Sequence, residues 1–155
     1  MPSITFTRKH ILEALAIKGH VHRKWLEVLP PYAYENTRER QGRRYNGRDL
    51  IFFLIVQFLI EHYGMSLDII ARFSQNLARF LDKPLSMSAT GYLVINIDMG
   101  EIKVAQTGLT VEPSIIMPLE TPLKRYRAYL GHDIDEPKQS TLPFAFKMLN
   151  NRKRG

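Results

Sequence analysis

The chain has 155 residues, 45% of them apolar and 24% charged, with a formal net charge of +7 and no cysteine. That composition belongs to an ordinary globular domain, or to two small ones sharing a core. Without cysteine, disulfides, thiolate metal sites and thiol nucleophiles are excluded, and a reducing compartment, the cytoplasm, is the expected location.

The charge is unevenly placed. Residues 1–48 hold 10 Lys or Arg against 4 Asp or Glu, residues 49–83 hold 3 against 4, and residues 84–155 hold 9 against 7. A surplus gathered in the first third of a chain is the electrostatic footprint of a polyanion-binding face, with a basic solvated surface as the plainer alternative. No basic-then-apolar signal peptide opens the sequence. Its most apolar run, Leu50 to Ile60, is broken by Gln57 and bounded by Asp49 and Glu61, well short of the roughly 20 residues that span a membrane.

In chain order, a first helix is predicted over Arg8 to Lys18, with Thr7 as N-cap and Gly19 as a left-handed stop. Ile11, Leu12, Leu15 and Ala16 form its apolar side. After only Gly19 and His20, a second short helix is expected from Val21 to Val28. Val21, Trp25 and Val28 share one side of it, while His22, Arg23, Lys24 and Glu27 lie elsewhere. Two short helices joined through a glycine turn form the skeleton of a helix-turn-helix, and Pro30 and Pro31 end the second one. Tyr32 to Asn46 has no helical period, and its centre, Asn36 to Gly42, suits a hairpin tip. Arg38, Arg40, Arg43, Arg44 and Arg48 fall in or beside that ribbon, which has no core to fill and so calls for an external partner.

A third helix is predicted from Asp49 to Tyr63, stopped by Gly64; apolar all round, it should be covered on most sides. Ser66 caps a fourth, reaching about Leu81, with Ile70, Phe73, Leu77, Phe80 and Leu81 as its stripe. Pro84 to Gly91 reads as a linker. Beyond it lies a hairpin, Tyr92 to Ile97 and Glu101 to Thr107 around a three-residue turn Asp98-Met99-Gly100. Leu109 to Glu112 is a candidate third strand. Thr121-Pro122 is an N-cap and N1 pair for a helix carrying Leu123, Tyr126 and Leu130 and ended by Gly131. A loop, a short apolar segment from Leu142 to Leu149 and a basic tail, Arg152-Lys153-Arg154, complete the chain.

Gly42-Arg43-Arg44-Tyr45-Asn46-Gly47-Arg48-Asp49-Leu50, followed by Gly64-Met65-Ser66-Leu67-Asp68-Ile69-Ile70, resembles the DNA-binding domain of the MerR and excisionase superfamily over about residues 7–81. There a wing ends in Arg-x-Tyr, an acid and a leucine follow four positions later, and a Gly-x-Ser-Leu turn joins the next helix pair. Arg43, Tyr45, Asp49, Leu50, Gly64, Ser66 and Leu67 match. The resemblance implies a winged helix-turn-helix that binds double-stranded DNA as a transcriptional regulator. The chain departs from MerR regulators in its short Val21-His22-Arg23-Lys24-Trp25-Leu26-Glu27 segment, which lacks their Arg-Tyr-Tyr motif. It is closer to excisionase-like and phage terminase small-subunit variants. Lys83-Pro84 also forbids the long dimerisation helix of the regulators, so effector binding is not carried over.

The residues themselves support a compatible interface. A helix bearing His22, Arg23 and Lys24 fits a major groove, where arginine reads guanine and lysine meets phosphate. The wing's Arg38, Arg40, Arg43, Arg44 and Arg48 would cross the backbone or enter a minor groove. Tyr45 is open between wing-base phosphate contact and core packing. For Arg43 and Arg44, a salt bridge to Asp49 or another acid is the competing role, and Trp25 reads as a core anchor. His20 and His22, two apart, do not face each other as a metal pair, and His132, Asp133, Asp135 and Glu136 read as solvated loop. No catalytic motif, phosphate loop or dinucleotide fingerprint is present.

The expected architecture is therefore mainly α: a winged helix-turn-helix over residues 1–83 and a small α+β segment over residues 84–155 packed on it. The expected function is sequence-specific DNA binding, without cofactor, metal or enzymatic activity. A homodimer, or another protein bound through the C-terminal segment, is expected, and no membrane. Two alternatives stay open: an architectural, excisionase- or terminase-like DNA-binding factor, and a module gripping an acidic protein.

Overall fold

Local chemistry sets the helix starts. Thr7 accepts a hydrogen bond from the backbone N–H of His10 through Oγ1, and His10 Nδ1 accepts from the Thr7 N–H, so a histidine takes the place usually held by glutamate in a capping box. Asn46 and Asp49 do the same for the long central helix, and Ser66 caps the next. In the computed structural model, residues 4–33, 42–83, 90–107 and 112–133 are described. They form β1 (Thr5–Phe6), α1 (Arg8–Leu15), α2 (Gly19–Val28), α3 (Pro30–Ala33), β2 (Tyr45–Asn46), α4 (Gly47–Tyr63), α5 (Leu67–Asp82), β3 (Tyr92–Asn96), β4 (Glu101–Ala105), β5 (Ile115–Pro118) and α6 (Glu120–Asp133). The fold is thus mostly helical, with two small antiparallel sheets, β1-β2 and β4-β3-β5.

Several boundaries differ from expectation. The first helix stops at Leu15, three residues short of Lys18, and its left-handed residue is Ala16 at φ 54°, not Gly19. Ile17 N–H reaches back to the Leu12 carbonyl and Ala16 N–H to that of Glu13, the paired bonds of a Schellman turn. Left-handed alanine costs about 1–2 kcal/mol, so surrounding contacts must hold it there. Gly19 instead opens α2, where the Arg8 guanidinium lies across it and donates to its carbonyl at 2.6 Å. Pro30 and Pro31 do end α2, but their fixed φ then starts a short helix of its own, α3.

Among the described residues, the partner of β2 is β1 at the N-terminus, with Phe6 opposite Tyr45. A two-residue strand carries no periodic signal, so β1 escaped the sequence reading. The tip of the expected ribbon, with Arg38 and Arg40, lies outside the described residues. So do most of the linker, the candidate strand's residues 109–111, and residues 134–155.

In the C-terminal sheet, Asn96 pairs with Glu101, which makes the hairpin loop four residues, Ile97 to Gly100, instead of three. Gly100 closes it at φ 69°. The third strand is β5, Ile115–Pro118, on the other side of β3. Leu93, Val94 and Ile95 of the central strand are buried, whereas Val104 on the edge strand is exposed. Helix α6 starts at Glu120, ahead of the Thr121-Pro122 pair, and runs through Gly131.

Helix α4 is the spine. Every residue from Leu50 to Gln57 is buried, as is Leu59, because α1, α5 and α6 all pack on it. One continuous apolar cluster runs from Phe6 and Ile11 through Phe53 and Phe73 to Leu93, Met117 and Tyr126, so the C-terminal strands and helix share the core of the N-terminal helices. Tyr126 of α6 lies over Gly47, where any Cβ would collide with its hydroxyl.

Candidate nucleic-acid interface

Helix α2 buries one side and exposes the other. His22, Trp25, Leu26 and Leu29 recur at spacings of three and four and point into the core. The positions between them, His20, Arg23, Lys24 and Glu27, recur at the same spacings and are all exposed. Among the described residues, neither the Arg23 nor the Lys24 side chain makes a hydrogen bond or an ion pair. The helix's N-cap, Lys18, supplies no side-chain acceptor, and its first turn contains no acid. The positive end of the helix dipole is therefore uncompensated next to this stripe.

His22 does not belong to that stripe, which corrects its assignment as a DNA contact. It is 0% exposed, packed edge-on against Phe53 at 4.8 Å and Tyr45 at 5.8 Å between ring centroids. Arg8 Nε points at His22 Nδ1 from 3.5 Å. Burial, with the nearby Arg8 charge, lowers its pKa from 6.5 to about 4, so the ring is neutral at physiological pH. The residue that completes the exposed stripe is His20, which the sequence reading set aside. The signal was present: Trp25 anchors the inner side, and counting back three places His22 with it, while His20 falls opposite.

Tyr45 is likewise 0% exposed and takes the core-packing role of the two left open for it. Of the two roles open for Arg43, the ion pair is the one present. Its guanidinium sits 4.9 Å from the Tyr32 ring centroid and 5.4 Å from that of Tyr45, and 3.9 Å from Asp49. Tyr32 donates to the same carboxylate at 2.6 Å, and burial, reinforced by Asp49, pushes its phenol well above the usual range. Arg43 thus ties α3 and β2 to the start of α4, and it is not a free wing arginine.

Arg44, next along the chain, turns outward and has no partner among the described residues. Arg48 is exposed and paired with Asp82 at 3.3 Å, a surface contact worth little and easily exchanged. The ring contact between His22 and Tyr45 sets α2 against β2. The stripe on α2 and Arg44, just ahead of β2, are both exposed, while His22, Arg43 and Tyr45 form the packing between the two elements.

The turn in front of α2 is held from a distance. Gln57 of α4, almost wholly buried, donates to the Leu15 carbonyl at 2.6 Å. Arg125 of α6 donates to the Ala14 carbonyl at 3.0 Å and also to Gln57 Oε1. With the Schellman bonds, every carbonyl from Leu12 to Leu15 has a partner.

No family model, curated protein or solved structure matches the chain. Among the described residues no cluster of three or more His, Asp or Glu side chains is arranged to hold a metal ion, and no helix is long and apolar enough to cross a membrane.

Proposed function

We propose that the chain is a sequence-specific binder of double-stranded DNA, built as a winged helix-turn-helix and acting as a transcriptional regulator. The exposed side of α2 enters the major groove, and the segment around Arg44 rests on the flanking backbone. One observation carries the reading: Arg23 and Lys24 stand unpaired on the outer side of the second helix of a tight pair, while its inner side is locked into the core. A helix anchored in this way offers its basic edge at little entropic cost, and a major groove admits one helix. A planar guanidinium suits base edges, and an ammonium suits phosphate. Bound as a two-fold dimer, the protein would contact half-sites about one helical turn apart.

The test is selection of duplexes from a random pool, followed by anisotropy titration of the winner at several salt concentrations. Arg23→Ala/Lys24→Ala is expected to weaken binding at least tenfold and to reduce the slope of log K against log salt by about 1–2. Arg44→Ala should weaken all duplexes alike. Equal affinity of the double variant and the parent across the salt series would overturn the reading. Absence of any duplex affinity at low salt would also overturn it, leaving the stripe as a surface for an acidic protein.

A further inference from the structure

Ala16 is the one described residue other than glycine with a positive φ. It stands two residues ahead of the N-cap of α2, so its conformation sets the direction in which α2 leaves α1. Nothing local favours alanine there; glycine is the residue that adopts this conformation freely. What surrounds it is a clamp from two distant parts of the chain. Gln57 takes the Leu15 carbonyl, Arg125 takes the Ala14 carbonyl, and Arg125 also donates to Gln57, which fixes the amide's orientation. The guanidinium sits at the C-terminal end of α1, where the helix dipole favours a cation. Tyr129, one turn along α6, adds a 3.4 Å contact to Glu13.

We infer that Arg125 is a positioning residue for α2: through Gln57 it holds Ala16 in its left-handed conformation and thereby fixes the angle at which His20, Arg23 and Lys24 are presented. The C-terminal helix consequently controls the exposed basic stripe through the turn ahead of α2, and whatever binds or displaces α6 would change that presentation. Control of DNA affinity rests on the reading given above, whereas control of the α2 angle does not.

The experiment uses the full chain, free of DNA, with Arg125→Met, which keeps an unbranched apolar stem and removes the guanidinium donors. Amide hydrogen exchange is read at Val21 to Lys24 relative to the centre of α4. The expected result is at least tenfold faster exchange in the first turns of α2 with little change in α4, reversed for the most part by adding Ala16→Gly. Glycine holds the left-handed turn without a clamp, so rescue by it distinguishes positioning from general loss of packing. Arg125→Lys, which cannot span both acceptors, should show the same pattern more weakly and serves if the methionine variant does not fold. Unchanged α2 exchange in these variants, or loss spread evenly over α2 and α4 without rescue by Ala16→Gly, overturns the inference. If exchange responds as expected while no duplex binds parent or variants, the clamp stands and the DNA reading fails. If duplex binding needs Arg23 and Lys24 but neither exchange nor affinity responds to Arg125, the reverse holds.

Discussion

Replacing His22 with leucine removes a buried imidazole whose proton affinity differs sharply between the folded and unfolded chain. In the fold the ring is fully buried among Phe53, Tyr45 and Arg8, and its pKa falls to about 4, against 6.5 when solvated. A base with a depressed pKa stabilises the fold fully above its unfolded pKa, and that contribution is lost as the pH drops from 6.5 towards 4, because the unfolded chain takes up a proton that the fold refuses. At 1.36 kcal/mol per pKa unit the loss approaches about 3 kcal/mol once complete, with about 2 kcal/mol of it falling between about pH 7 and pH 5. Leucine has a similar volume and does not titrate. Urea unfolding of parent and His22→Leu at both pH values isolates the effect, since the carboxylates and the other histidines are common to both. The parent should lose about 2 kcal/mol more than the variant over that interval. Equal losses in the two proteins would refute the claim that His22 is held neutral inside the fold, and with it the orientation assigned to α2.

Gly47→Ala should cost about 1–3 kcal/mol by forcing a methyl group into the Tyr126 hydroxyl. Tyr126→Phe should recover part of that cost, as measured by a thermal double-mutant cycle. Phe73→Ala empties a fully buried site in the core cluster and should cost about 3–5 kcal/mol in denaturant unfolding. Trp25, the one tryptophan of the chain and only 5% exposed, should emit in the blue, resist acrylamide quenching and stay unmoved on addition of duplex. A quench on binding would mean that it stacks on bases and that α2 is inverted.

How much was legible in the residues follows from the range of the forces involved. Capping and turn chemistry act within about four residues, so Thr7, Ser66 and Gly64 marked ends that the fold keeps. The continuous apolar run of α4 announced a helix covered on all sides, and alternation with a glycine turn announced the β3-β4 hairpin. The same local rules misled at Gly19, the best left-handed residue in the neighbourhood by intrinsic preference. A difference of 1–2 kcal/mol in preference is smaller than the combined hydrogen bonds that Gln57 and Arg125 make at the preceding turn.

The pattern of apolar and capping residues along the chain was enough to establish α1, α2, α4, α5, β3, β4 and α6 and the basic character of the first fifty positions, because those depend on neighbours in sequence. Which side of α2 faces outward, whether Arg43 meets solvent or two tyrosines and Asp49, and which strand pairs with Tyr45 were left to tertiary contact between elements. In each case local geometry tolerates either outcome at nearly equal cost. The choice falls to partners such as Phe53 for His22, Tyr32 for Arg43 and Phe6 for Tyr45, whose burial and contacts count only once the core has closed.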